Sequence, residues 1–213
     1  LAWRARALAI SGAVAACILG GVTVAGGGWN WGALLILFFV TSTALSKIAD
    51  RKKPGHGDIA ARGSRRDAVQ VLANGGIPGL FALLNWVEPR SIWYVAFAAA
   101  LAAAAADTWA TEIGAFSPHA PRLITSFATV EPGRSGAISR YGTLGSASGA
   151  LLMGVAAGAL ASDAISREWT LVLVAATGGF AGSLIDSLLG ATVQAIYRCP
   201  RCDKLVEVSV HSC

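Results

Sequence analysis

The sequence predicts an all-α, polytopic membrane protein with about six transmembrane helices, and three observations carry that prediction. Hydrophobic residues make up 54% of the chain and charged ones only 14%, with a mean hydropathy of +0.58, which excludes an ordinary soluble domain. Uncharged runs long enough to cross ~30 Å of hydrocarbon recur along the chain. Positive charge collects in alternate connections between those runs.

The first run, Ala7 to Ser46, is about twice the length that one crossing needs. Gly26-Gly27-Gly28-Trp29-Asn30-Trp31-Gly32 interrupts it and predicts a turn outside the bilayer, with the tryptophans at the interface. The first span is not read as a cleaved signal peptide, because a second helix follows with no convincing cleavage site. Ala68–Val87 is the third span, Ser91–Ile113 the fourth, Tyr141–Ser162 the fifth and Thr170–Tyr197 the sixth. Residues 1–197 are read as one transmembrane domain and residues 198–213 as a Cys/His-containing tail, leaving room for a further helix beyond Cys213.

Lys47, Arg51, Lys52, Lys53, Arg62, Arg65 and Arg66 share one connection. Arg122, Arg134 and Arg140 fall in the connection before the fifth span, and Arg198, Arg201 and Lys204 in the tail. The opposite connections, 26–31, 88–90 and 163–168, are short and nearly neutral. Six helices put every basic segment on one side, which the positive-inside rule assigns to the cytoplasm together with the N-terminus. A bacterial plasma membrane is favoured. The net charge of +5 is accounted for by this orientation and does not call for a nucleic-acid partner.

Two spans end in acids. Ser91 to Ala106 is uncharged and is followed by Asp107-Thr108-Trp109-Ala110-Thr111-Glu112; Thr170 to Ile185 is uncharged and is followed by Asp186. Each aspartate lies ~24 Å along its helix at ~1.5 Å per residue, so the two reach matching depth near the basic side. A carboxylate near hydrocarbon is costly and marks a functional site, so the pair suggests one buried acidic site with a cation to share. Ser183, Asp186, Ser187, Gly190 and Gln194 form a polar stripe among Gly178, Gly179 and Gly182, whose small size also suits helix packing. Asp107 and Glu112 stand about 140° apart on a regular helix, so both join one metal cluster only if the helix ends or bends after Trp109. Thr108 lies one turn before Glu112 and Thr111 one turn after Asp107, while Gln70 and Asn74 share a face near the start of the third span.

The connection Glu131 to Ser146 is rich in glycine, hydroxyls and arginine, and it leads into the fifth helix. A helix start offers backbone N–H groups and a positive dipole end to an anion, and arginine adds charge-assisted contacts to phosphate. Neither a Walker loop nor a dinucleotide fingerprint occurs. In the tail, Cys199, Cys202, His211 and Cys213 have ligand types and spacing that suit a structural Zn²⁺ site. Cys17, in the first span, is read as a packing residue, and His56 and His119 as solvated loop residues.

Arg66-Asp67-Ala68-Val69-Gln70-Val71-Leu72-Ala73-Asn74-Gly75-Gly76, Ala106 to Gly114, Arg140 to Ser146 and Gly178 to Gln194 resemble the integral-membrane phytyl-phosphate kinase family, known in animals as transmembrane protein 19. The resemblance runs from about Lys47 onward, and the family is related to CTP-dependent membrane enzymes of the dolichol kinase type. It implies transfer of a phosphoryl group from a nucleoside triphosphate, CTP favoured, to an isoprenoid monophosphate. The product is an isoprenyl diphosphate, such as phytyl diphosphate for tocopherol or phylloquinone synthesis. It also implies a further helix after the carboxyl end of this chain.

Carried onto this chain, Asp107, Glu112 and Asp186 handle Mg²⁺ and its phosphates. Asn74, Thr111, Ser183 and Ser187 bond phosphate or metal-bound water, and Arg134, Arg140, Thr143 and Ser146 hold the nucleotide phosphates, with Arg66, Gln70, Thr108 and Ser139 completing the binding set. Mg²⁺ suits this set because it takes one or two carboxylates plus phosphate oxygens. The implied partners are the isoprenoid phosphate, the nucleotide and membrane lipids. The competing expectation is a secondary transporter for a cation or organic anion that uses the same acids. Against it, the acids lie at one leaflet and no inverted repeat is evident.

Overall fold

The computed structural model describes residues 8–52, 66–161, 168–198 and 205–206. It contains six helices long and apolar enough to cross a membrane. They are α1 (Ile10–Gly27), α2 (Trp29–Lys52), α3 (Ala68–Val87), α4 (Ser91–Gly114), α5 (Arg140–Leu160) and α6 (Glu168–Thr192). Short strands β1 (Arg122–Leu123) and β2 (Ala137–Ile138) pair antiparallel within the α4–α5 connection, and β3 (Tyr197–Arg198) pairs with β4 (Leu205–Val206) after α6.

Local chemistry sets the boundaries. Gly28, at φ +82°, alone separates α1 from α2, and the left-handed backbone there suits glycine. Asp67 caps α3 by accepting from the Gln70 N–H at 2.9 Å. Pro89 is the middle residue of the three-residue turn between α3 and α4, whose other two residues, Arg90 and Glu88, form an exposed ion pair at 2.7 Å. Sequence reading extends the sixth span to Tyr197, but α6 stops at Thr192, so Gln194 lies beyond the helix and leaves the polar stripe.

The long helix α4 is central and packs against α2, α3, α5 and α6, while α1 packs chiefly on α3. Small residues permit this, as is usual where hydrocarbon surrounds the helices. A Cβ on Gly145 would stand 2.6 Å from the Trp109 carbonyl oxygen, one on Gly149 3.0 Å from that of Ala105, and one on Gly154 2.8 Å from that of Val172. Tyr94, Phe97, Leu101, Leu34, Phe38 and Met153 fill the core, and the buried Tyr94 hydroxyl donates to the Ala157 carbonyl at 2.9 Å. Trp31 departs from expectation. It lies in the core, with its ring centroid 5.3 Å from Tyr94 and 4.7 Å from Phe97, because it shares the packed face of α2 with Leu34 and Phe38. Trp29 keeps the expected exposure, at 80%.

Candidate functional site

The start of α1, the end of α2, the start of α3, the end of α4, the start of α5 and the end of α6 meet at one end of the bundle. The Ala9 N–H donates to the Arg66 carbonyl at 3.0 Å, Ser46 reaches Glu112, Gly114 abuts Gly142, and Gly136 abuts Ala191. The candidate polar residues therefore gather at this end.

On the α4–α6 seam the two helices run parallel with a readable register. A Cβ on Gly178 would meet Ala99, and one on Gly182 would meet Ala103. One more turn along both helices, at the same offset, comes to Asp186 and Asp107. The register thus sets the two aspartates at one level. Asp107 is half-buried and Asp186 is exposed from the protein, so the acidic site opens outward on the α6 side instead of being enclosed. Ser183 is buried and Ser187 half-buried on either side of Asp186.

Glu112 takes another direction. Continuous helix runs through Gly114, so the condition for uniting Glu112 with Asp107 in one cluster is not met. Instead, the Ser46 hydroxyl of α2 donates to Glu112 Oε1 at 2.5 Å, and the Asp50 carboxylate and Arg66 guanidinium act on Glu112 from α2 and the approach to α3. The Glu112 carboxylate acts electrostatically on the Arg66 guanidinium in return. Burial lowers the Arg66 pKa from its ordinary value, and the Glu112 carboxylate works to raise it. A guanidinium stays charged under both influences. Among the described residues, no three His, Cys, Asp or Glu side chains group as a metal cluster.

The α4–α5 connection closes over the end of α6. A Cβ on Gly190 would stand 3.0 Å from the Gly136 nitrogen and 3.3 Å from Ser135 Cβ, one turn beyond Asp186. Arg134 Nε is buried there without a hydrogen-bond partner, as are Trp109 Nε1 and Ser146 Oγ on the α4 and α5 faces nearby. The start of α5 is less open to an anion than its sequence suggests. Ser139 Oγ accepts from the Gly142 N–H at 3.0 Å and so takes one of the free donors.

Other expected residues divide plainly. Arg140, Thr111 and Thr143 are exposed, and Gln70 and Asn74 are half-buried at the start of α3. Pro78 removes the usual donor to the Asn74 carbonyl, so that residue presents backbone as well as side-chain oxygen. Thr108 Oγ1 donates to the Ala104 carbonyl at 2.9 Å within its own helix. His119 is exposed, as is Cys17. Cys199, Cys202, His211 and Cys213, the zinc ligands suggested by spacing, lie outside the described residues, as does His56. Ser46 and Asp50 were missed in the sequence. Their i,i+4 spacing at the end of an apolar run was the available signal, but it does not identify a partner.

A model of the family described as integral membrane protein DUF92 matches residues 1–212 of this chain. The chain belongs to the DUF92 family. Within it, an uncharacterized membrane protein of Methanocaldococcus jannaschii is 36% identical over 194 residues, covering 88% of this chain and 75% of the relative. Protein PGR of Arabidopsis thaliana is 31% identical over 225 residues, covering 96% and 78%. An uncharacterized membrane protein of Synechocystis is 27% identical over 185 residues, covering 84% and 69%. No solved structure matches. Membership establishes a multi-pass integral membrane protein, in agreement with the six helices of this DUF92 member.

Proposed function

We propose that this DUF92 protein is a Mg²⁺-dependent membrane kinase that transfers a phosphoryl group from a nucleoside triphosphate, CTP favoured, to an isoprenoid monophosphate such as phytyl phosphate. The observation that carries the proposal is the α4–α6 register, which sets Asp107 and Asp186 at one level where the membrane-embedded bundle meets its basic connections. The substrate class rests on the sequence resemblance. The basic end faces the cytoplasm in this reading, where the nucleotide is found.

A pair of carboxylates is the donor set that Mg²⁺ takes when phosphate oxygens complete its shell. Bound there, the ion would neutralise charge on the β- and γ-phosphates. The chain's own groups bind and orient. Asp107 and Asp186 would hold the metal–nucleotide, and Arg134, whose buried Nε lacks a partner, would donate to a phosphate. Ser146 and Ser183 supply hydroxyls from the inner faces of α5 and α6. An oxygen of the isoprenyl monophosphate attacks the γ-phosphorus; the bond from that phosphorus to the β,γ-bridging oxygen breaks, and the nucleoside diphosphate leaves. The attacking oxygen is already anionic at neutral pH, so no protein base is needed. Positioning and charge neutralisation carry the reaction.

The test is substitution at the seam. Asp107→Asn and Asp186→Asn should each abolish transfer from labelled CTP or ATP while the protein inserts and purifies as wild type. Full activity in both variants would refute the assignment.

A further inference from the structure

We infer that the α2–α4 seam holds a single dehydrated monovalent cation of the Na⁺ class, bound by the hydroxyl oxygens of Ser42, Ser46 and Thr108 and the carboxylate of Glu112. The site is separate from the Asp107–Asp186 level on the α4–α6 seam and does not depend on the kinase reading.

Two side-chain contacts fix the register of α2 on α4. Near the start of both helices the Trp31 and Phe97 rings lie with centroids 4.7 Å apart, and near their ends the Ser46 hydroxyl donates to Glu112 Oε1 at 2.5 Å. The partners in each pair are 66 residues apart in sequence, so the helices run parallel in one register between the contacts. At that offset Ser42 stands level with Thr108. On its own helix each lies about 20° around from the aromatic anchor and about 40° from the polar one, between the two. Both therefore face the seam and each other, one turn, about 6 Å, from Ser46 and Glu112.

The hydrogen bonds already made select the ligand. Ser42 is fully buried, and its Oγ has no hydrogen-bond partner among the described residues, a costly state for a hydroxyl. Thr108 gives its proton to the Ala104 carbonyl at 2.9 Å and Ser46 gives its own to Glu112, so both present only lone pairs to the seam. A ligand there meets acceptor oxygens from both helices and one carboxylate. A hard cation matches hydroxyl and carboxylate oxygens, whereas a soft metal would need thiolate or imidazole. Mg²⁺ keeps several waters in octahedral order, which a seam closed around Ser42 does not admit. The charge also fits a monovalent ion. Asp50 and Arg66, which act on Glu112 with opposite signs, offset each other and leave one negative charge beside the hydrocarbon. A charge so placed favours a cation over neutral water, and the ion would tie α2 to α4.

Equilibrium binding of radiolabelled Na⁺ to the purified full chain in detergent tests this, without nucleotide, Mg²⁺ or lipid phosphate and with choline chloride holding the ionic strength constant. Wild type should bind one Na⁺ per chain saturably, and its thermal midpoint should rise with Na⁺ but not with choline. Thr108→Val keeps the side-chain shape and removes the oxygen; it and Ser42→Ala should each weaken Na⁺ by about tenfold or more. Thr177→Val removes a hydroxyl bonded in the same way to its own helix on an exposed face of α6, and should bind Na⁺ as wild type does. Asp107→Asn should also bind as wild type does. Comparison is made among variants that keep the wild-type thermal transition in choline, and Ser42→Ala decides where Thr108→Val does not fold. Folded wild type with no saturable Na⁺ binding, the result expected for water alone in the seam, would overturn the inference. Wild-type affinity in both Thr108→Val and Ser42→Ala, or loss on Asp107→Asn, would overturn it too. Na⁺ binding with the expected dependences but no phosphoryl transfer would uphold the site and refute only the kinase reading.

Discussion

Gly136→Ala should detach the α4–α5 connection from α6 while leaving the helical bundle intact. Gly136 has φ +75°, where an alanine costs about 1–2 kcal/mol. Its Cβ would also stand 2.5 Å from the Ala191 nitrogen and 2.6 Å from the Ala191 Cα. Both belong to the backbone of a packed helix and cannot yield, so the connection must retreat by about 1 Å to reach ordinary van der Waals contact. Even the backbone cost alone, at about 2 kcal/mol, changes an open–closed ratio by roughly thirtyfold. Tryptic cleavage after Arg134, followed by mass spectrometry of the fragments in detergent, reads that ratio. We expect cleavage there to accelerate by at least about tenfold, with the thermal transition of the bundle unchanged. Gly76→Ala is the control: its Cβ would meet nothing within 4 Å, and alanine favours the helix by about 1 kcal/mol, so that variant should match or slightly exceed wild type. Cleavage at the wild-type rate in Gly136→Ala, or collapse of the bundle, would refute the packing argument.

Ser46→Ala removes the donor to Glu112 and should lower stability in detergent by about 1–3 kcal/mol, read from thermal unfolding; an unchanged midpoint would mean the α2–α4 contact contributes nothing. Cytoplasmic placement of the basic end predicts that an impermeant maleimide labels Glu88→Cys but not Ala120→Cys on intact cells, in a background whose native cysteines are serine. The reverse pattern would overturn that orientation.

The six spans were legible because the apolar runs are bounded by charge or glycine, and lipid leaves a helix few alternatives. The level of the two aspartates was legible for a related reason: each follows an uncharged run of equal length, and counting rise per residue is enough. Packing partners were not. Ser46 and Glu112 are 66 residues apart, and their meeting depends on how α2 rotates against α4. The same rotation carries Trp31 into the core, against the interfacial habit of tryptophan. Ser139 reads equally well as a phosphate ligand or a helix cap, and only the fold selects the cap. Asp107 and Glu112 were separable by angle, but the turn toward α2 that gives Glu112 its partners lies in tertiary structure.

The most direct measurement is phosphoryl transfer by the purified wild-type protein in detergent with Mg²⁺. Labelled CTP or ATP would be supplied with phytyl, geranylgeranyl and farnesyl monophosphates and with the corresponding alcohols. The account predicts a labelled isoprenyl diphosphate that requires Mg²⁺ and forms from the monophosphates. No labelled product across the whole panel, from protein that retains its thermal transition, would contradict it.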